Sequence, residues 1–444
     1  MSTVGIIAEY NPFHNGHKYQ IDYVRNHCGA DNIVVVMSGD FVQRGTPAWA
    51  DKYLRARMAL EGGADFVFEL PVIYAAASAE PFARGAVALL NALGFVDKIC
   101  FGCENTELDT LELIARKDIS LTGINRDMLT SGISYPEMRT RIIADAIPGR
   151  RDEITKIMNQ PNNTLAIEYL KALKILDSNI KPLPVKRCDK GYNSTETTGC
   201  FASASGIRKI YGKGSDEIAK EFFKSPETIN EISSFLPDST LKLIADNSER
   251  IGNDIDSFSE IMYYRLRSFS SSDELTCFSD VSKELADRIF NLLPEFNTLS
   301  DFTKKLKTRQ YTYSRISRAL LHILLGIEAS VYDEYPVMPC SYKVSDKSRA
   351  YTDICTASDK TMPHLFPYAR LLGMRKSKSA MLRNISDTAA ITKVADAKSV
   401  LCPEAYKIFK KDIYAADIYN HMTAHGKILS SPVCNEYRHG VIIV

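Results

Sequence analysis

The spacing of short apolar runs in the first hundred residues constrains the fold more than any other feature. Val4-Gly5-Ile6-Ile7-Ala8, Asn32-Ile33-Val34-Val35-Val36-Met37, Asp65-Phe66-Val67-Phe68-Glu69-Leu70 and Lys98-Ile99-Cys100-Phe101 are too short for helices and apolar at successive positions. Strands buried on both faces of a parallel sheet read this way. Between the runs, His17–His27, Asp51–Leu60 and Pro81–Leu93 carry helical spacing, and Gly62-Gly63 and Gly94 end the second and third helices. Strand–helix alternation leads to right-handed crossovers and a parallel sheet. Such sheets bind ligands at the carboxyl ends of their strands. The loops 9–17, 38–46 and 102–104 are therefore expected to face one crevice.

Further along, residues 105–180 read mainly as helices, with Pro161-Asn162-Asn163-Thr164 as an N-terminal signal for Leu165–Leu176. Ile180–Arg187 reads as a strand, Cys188–Thr198 as a loop, and a helix opens over Ser203–Tyr211. From 215 to 335 the pattern is helical without a repeat, and the last hundred residues mix short helices and strands. The expected fold class is α/β, a Rossmann-like parallel-sheet domain followed by a mainly helical C-terminal region. Its boundaries are expected at 1–215, 216–335 (helical) and 336–444 (mixed α/β). Two or three domains suit a chain of 444 residues.

Bulk composition mostly excludes. No apolar run reaches the ~18–20 residues that span a membrane, and no N-terminal signal peptide is visible. The ten cysteines are scattered rather than arranged as a disulfide framework. These features predict a reduced, cytoplasmic protein. A net charge of +1 gives no global basic field, although the 55 Lys and Arg can segregate onto one face. Cys100-Phe101-Gly102-Cys103 is a lone C-x-x-C without a second pair, so Cys100 reads as a small core residue rather than a zinc ligand. His322, among Leu320, Leu321, Leu324 and Leu325, reads as structural.

The chemistry is concentrated in Asn11-Pro12-Phe13-His14-Asn15-Gly16-His17, between the first strand and the first helix. Gly16 would let a phosphate approach the backbone, and a helix N-terminus offers N–H groups and the positive end of a dipole. His14 and His17 can donate hydrogen bonds to charge growing on phosphate oxygens. In-line attack at phosphorus is mainly positioning and electrostatics, so no covalent role is needed. Zinc is a weaker reading, because no third ligand lies at close spacing.

This segment resembles the H-x-G-H signature of the nucleotidyltransferase superfamily, whose members join a nucleotide α-phosphate to an acid or phosphate and release pyrophosphate. That superfamily also grips the triphosphate with a Ser/Thr- and basic-rich turn opening a later helix. Ser203-Ala204-Ser205-Gly206-Ile207-Arg208-Lys209 is similar to it and nominates Ser205 and Arg208. More narrowly, the segment Gly5–His17 resembles the opening of the bacterial tRNA(Met) cytidine acetate ligase family. Ser38–Gly45, Phe68-Glu69-Leu70-Pro71, Phe101-Gly102-Cys103-Glu104, Pro161-Asn162-Asn163 and Val185-Lys186-Arg187 look like its next blocks. Arg309–Arg318 and Tyr368–Gly373 resemble its C-terminal part, so the likeness covers nearly the whole chain.

The resemblance implies that ATP and acetate give acetyl-AMP and pyrophosphate. The acetyl group then passes to N4 of the wobble cytidine of elongator tRNA(Met), forming N4-acetylcytidine. Carried over residue by residue, the ATP site is the loop Ile7, Ala8, Glu9, Tyr10, Asn11, Pro12, Phe13, His14, Asn15, Gly16, His17, Lys18, Tyr19 and Gln20, joined by Gly102, Asn162 and Arg187. His14, His17 and Arg44 are the expected catalytic groups, with Arg44 offering two parallel contacts to carboxylate or phosphate. Lys18 and Arg187 would balance triphosphate charge. Asp40 brings a negative charge to the same loop, to be neutralised by Arg44 or Lys52. Mg²⁺ is expected to screen the leaving pyrophosphate, and the sequence names no ligand for it. The tRNA contacts would be Arg309, Arg315, Arg318 and Arg370, with Tyr311 and Tyr313 available to stack on a base. No membrane and no stable protein partner are implied. Two alternatives stay open at this stage: a small-molecule nucleotidyltransferase of the cofactor adenylyltransferase type, and a tRNA-binding protein with a relic ATP site.

Overall fold

Burial on both faces places the strands where the apolar runs lie. The computed structural model describes residues 1–120, 135–187, 202–212, 232–334, 366–385, 387–424 and 435–444. The expected loop Cys188–Thr198 lies outside the described residues. β1 (Thr3–Ala8) and β2 (Asn32–Ser38) flank α1 (Asn15–His27); a hairpin of β3 (Phe41–Val42) and β4 (Thr46–Pro47) follows β2. Then come α2 (Lys52–Glu61), β5 (Phe66–Leu70), a short α3 (Val72–Ala75), α4 (Ala79–Ala92) and β6 (Lys98–Cys103). Four helices, α5 (Leu108–Ser120), α6 (Tyr135–Asp145), α7 (Arg151–Met158) and α8 (Pro161–Ile175), lead to β7 (Lys181–Lys186) and α9 (Ala204–Gly212).

The strands β5-β2-β1-β6-β7 form a parallel sheet in that order. The chain leaves β1 toward β2 on one side and returns to β6 on the other, so the topological switch point lies between β1 and β6. Side chains of β2 alternate between two cores. Val34 and Val36 belong with Leu89 of α4 and Leu170 of α8, and Ile33, Val35 and Met37 with Ile21 of α1 and Leu60 of α2.

The sheet also takes strands from the end of the chain. β8 (Ala369–Met374) pairs antiparallel with β5, and β9 (Ala390–Ile391) and β10 (Ile442–Ile443) pair with β8. Residues expected in a separate 336–444 region thus complete the sheet built by the first hundred. The stretch Ala369–Gly373 is buried throughout, Arg370 included.

Residues 232–334 are helical, as expected. Phe258, Leu285, Phe302, Ile316 and Leu320 join the same core as Phe66 and Phe68 of the sheet. The helix Tyr313–Leu325 starts on the Thr312 cap and stops at Gly326, whose φ of 65° suits glycine. His322 is structural here: its ring nitrogens lie 3.0 Å from the carbonyl oxygens of Ser279 and Ala76, at 0% exposure. The run Lys304-Lys305-Leu306-Lys307 has its lysines exposed. Among the described residues no helix is long and apolar enough to cross a membrane.

The β3–β4 hairpin docks on this helix. Ser317 Oγ donates to the Gly45 carbonyl at 2.8 Å, and a Cβ on Gly45 (φ 73°) would run into the backbone of Ser317 and Arg318. Backbone cannot give way as a flexible side chain can. Gly45→Ala is therefore expected to cost about 1–3 kcal/mol. Urea unfolding checks this, and an unchanged midpoint would show that the hairpin docks elsewhere.

Candidate active site

His14 is the N-cap of α1, with extended backbone that turns its imidazole back over the first turn. Gly16 N–H donates to Nδ1 of His14 at 3.0 Å, and His14 N–H donates to Nδ1 of His17 at 3.3 Å. A ring nitrogen that accepts an N–H carries no proton, so each neutral imidazole keeps its proton on Nε2. The two rings stack at 3.7 Å, and Tyr10 and Phe13 pack against His17. Removal from solvent, then the nearby His14 and Arg187, hold the His17 pKa well below the ordinary imidazole value. The loop thus presents a pair of neutral donors.

Two expectations change here. The N–H groups of the first turn were expected to grip phosphate, but they are already used. Asn15 N–H donates to Phe235 O at 2.9 Å, Gly16 N–H to His14 Nδ1, and those of His17 and Lys18 to His14 O. What remains for an anion is the positive end of the helix dipole and the side chains. Gly16 is needed for a different reason as well, since a Cβ there would come 2.9 Å from His14 Cε1. The glycine makes room for the imidazole cap.

The loops after β1, β2 and β6 converge, as expected. Glu9 Oε1 accepts from Gln43 N–H at 3.0 Å, and Gln20 donates to the Cys100 carbonyl at 3.3 Å. Arg55 ties the first two loops from beneath. At 0% exposure it donates to the carbonyls of Ala50, Glu9, Ser38 and Gly39. Sequence reading missed Arg55; the signal was a cation at helical spacing from Lys52, on the buried face of α2. Within the histidine loop, Tyr10, Asn11, Pro12 and Phe13 are buried and act as scaffold, whereas Ile7, Ala8, Glu9 and Asn15–Lys18 are partly exposed toward the crevice end. Asn11 accepts Trp49 N–H at 2.7 Å and gives its carbonyl to Arg208. Lys18 forms an ion pair with Asp22, and Tyr19 stands on the outer face of α1 near Tyr23.

Asp40 is neutralised by Lys52 rather than Arg44. Lys52 N–H donates to its carboxylate at 2.9 Å, and the Lys52 ammonium lies 3.5 Å away. Burial nevertheless pushes the Asp40 carboxyl up to about 6. Lys52 also pairs with Glu69 and Glu436, both at 2.9 Å, and Arg370 pairs with the same two acids. Arg44 is exposed at the hairpin tip, near enough to Arg208 for its charge to be felt there.

Across the switch point, Gly102 is the last residue but one of β6, where a Cβ would come 3.2 Å from Cγ of Arg187, and Arg187 donates to Asn162 Oδ1 at 3.3 Å. Ser203 caps α9 by accepting Gly206 N–H, its Oγ lies 3.0 Å from that of Ser205, and Arg208 reaches back over the histidine loop. His14, His17, Arg44, Arg187 and Arg208 therefore gather around the carboxyl ends of β1, β2 and β6. Cys100 is core, its thiol pushed up to about 12 by burial.

The expected tRNA contacts divide. Arg309 is exposed on the rim of an open groove of about 730 Å³, lined in part by Glu284, Arg288 and Tyr311. Tyr311 is only 8% exposed; its hydroxyl meets Ser282 at 2.5 Å and Glu284 at 3.2 Å, and Arg315 lies 4.7 Å over its ring. It is not placed to stack on a base. Tyr313 is the first residue of its helix and partly buried, and Arg318 pairs with Asp280 at 2.9 Å. Arg370 is a correction: at 3% exposure it belongs to the buried ion cluster and offers no surface to a phosphate.

Comparison with known proteins follows the same lines. Residues 1–344 match the family described as HIGH Nucleotidyl Transferase. A tRNA(Met) cytidine acetate ligase from Thermoanaerobacter sp. (strain X514) is 36% identical over 429 residues, which is 94% of this chain and 95% of that protein. Its counterpart from Clostridium acetobutylicum is 34% identical over 437 residues, 94% and 98% of the two chains. The crystal structure of Thermotoga maritima TmcAL bound with alpha-thio ATP shares the fold, with a TM-score of 0.81 over 100% of both chains at 23% identity.

Proposed function

Because the chain belongs to the HIGH nucleotidyl transferase family, and within it to the tRNA(Met) cytidine acetate ligases, we propose that it activates acetate with ATP and acetylates N4 of the wobble cytidine of elongator tRNA(Met). The carrying observation is likeness at 36% identity over 94% of the chain, joined to an intact pair of Nε2–H imidazoles at the switch point. That span leaves little room for the cofactor adenylyltransferase alternative, because it includes the whole helical region.

A carboxylate oxygen of acetate attacks the α-phosphorus of ATP, the bond to the β-phosphate breaks, and pyrophosphate leaves. His14 and His17 donate to the oxygens on which charge grows, and neutral donors need no reorganisation as it does so. Arg44, Arg187 and Arg208 offset the charge of acetate and triphosphate. The cytidine N4 then attacks the acetyl carbon, AMP leaves, and N4 loses a proton. Mg²⁺ would screen the leaving pyrophosphate. It would be held by phosphate oxygens and water, since among the described residues no group of three His, Cys, Asp or Glu side chains is arranged to hold a metal ion. The proposed setting is the cytoplasm.

Incubation with ATP, labelled acetate and elongator tRNA(Met), followed by digestion, should yield labelled N4-acetylcytidine. Label confined to a nucleotide conjugate would support the small-molecule alternative instead. Arg309 is the exposed member of the proposed tRNA set. Arg309→Ala is expected to weaken tRNA binding and reduce its log–log salt slope by about 0.7–0.9. Filter binding across a KCl series measures this, and an unchanged slope removes Arg309 from the tRNA surface.

A further inference from the structure

We propose that Glu104 is a positioning residue of the ATP site: it fixes which way round the Asn162 amide lies and thereby what Asn162 presents to Arg187. The inference rests on the reading that this crevice binds ATP. Glu104 follows β6 directly. Its Oε1 accepts from Asn162 Nδ2 at 2.6 Å and its Oε2 from Asn163 N–H at 2.9 Å. In return, the N–H groups of Glu104 and Asn105 both donate to Asn163 Oδ1 at 3.0 Å. Asn163 is held in turn at 0% exposure, its Nδ2 donating to Ile157 O and Gln160 Oε1. The loop after β6 and the first turn of α8 are therefore joined reciprocally.

A carboxylate only accepts hydrogen bonds. Asn162 must turn its NH₂ toward Glu104, which leaves Oδ1 facing Arg187 at 3.3 Å. Arg187 in turn stands close enough to His17 to act on its charge. An amide reversed by 180° would set donor against donor at the guanidinium. The Asn162 amide thus lies between an acceptor, the Glu104 carboxylate, and a donor, the Arg187 guanidinium, and Glu104 is the side that can be changed without altering Arg187.

Glu104→Gln tests this with an isosteric side chain. The Asn163 backbone N–H cannot turn, so the substituted amide must keep its oxygen there and offer NH₂ to Asn162. Asn162 then lies between two donors, and whichever way its amide turns, either its bond to residue 104 or its bond to Arg187 is lost. Equilibrium dialysis with labelled ATP alone should show about tenfold weaker binding, one charge-assisted hydrogen bond's worth. The unfolding midpoint and tRNA affinity should stay at wild-type values. The double variant E104Q/N162D restores an acceptor toward both neighbours and keeps the local charge, so ATP affinity should largely return. Wild-type ATP affinity in E104Q, parallel loss of ATP and tRNA binding with a lower unfolding midpoint, or a double variant no better than E104Q would each overturn the assignment. Failure of the wild-type protein to retain ATP would overturn the reading of the crevice itself, and this inference with it.

Discussion

His17→Ala is expected to lower the rate of acetyl-AMP formation by about 10²- to 10³-fold, the loss seen when one preorganised donor is removed from developing negative charge. Affinity for tRNA should be unaffected. His14→Ala should cost as much in rate and also weaken α1, because His14 is its cap; loss of a cap costs about 1 kcal/mol. The rings touch and act as a unit, so the double variant should fall little below either single one. The pH dependence reports whether His17 stays neutral in the working enzyme. His17 is held well below the usual imidazole range, so its donor form persists as pH falls through the ordinary value of 6.5. Single-turnover pyrophosphate release should accordingly show no acid limb near 6.5 from this residue. Wild-type tRNA acetylation by the double variant would remove both histidines from the mechanism.

Much of this site was legible because its signals are local. Strand, loop, His-x-Gly-His and helix fall within 27 residues, and the parallel order follows from short two-sided apolar runs. The chain could not show that Asn15 N–H is already bonded, because it reaches Phe235 O from far along the sequence; the other first-turn N–H groups are taken by His14 itself. Arg370 failed as a tRNA contact for a similar reason. Resemblance alone nominates Arg370, and only the placement of β8 against β5 puts Glu69 next to it. Glu436 gave no signal at all: its partner Tyr53 is 383 positions away. Glu104 was legible as part of a motif but not as a hydrogen-bonding group, since its role depends on α8 beginning at Pro161 rather than near Leu165.

Glu436 is also where the largest stability effect is expected. Its Oε2 serves the Lys52 ammonium at 2.9 Å, the Tyr53 hydroxyl at 3.2 Å and the Arg370 guanidinium, in a cluster whose side chains are 1–4% exposed. Glu436→Ala leaves two buried cations short of a partner, which costs about 3–5 kcal/mol. The loss should reach the crevice, because Lys52 also holds Asp40 and the loop leading to Arg44. Its pH dependence has a definite sign. Lys52 and Arg370 outweigh burial and hold the Glu436 carboxyl down at about 2, against 4.5 ordinarily. A lowered folded-state pKa gives stability that is fully present above 4.5 and lost as pH falls toward 2. Asp40 runs the other way. With its pKa raised from 3.8 to about 6, its contribution is fully present below 3.8 and lost as pH rises through 6. Between these limits the two oppose each other in the native protein, and Glu436→Ala removes one side. The deficit of the variant should therefore be widest at neutral pH and narrow as the medium is acidified from about 4.5. Urea unfolding of both proteins across that range measures the difference. A deficit under about 1 kcal/mol at pH 7, independent of pH, would mean that Lys52 and Arg370 are satisfied by Glu69 and Asp40 alone.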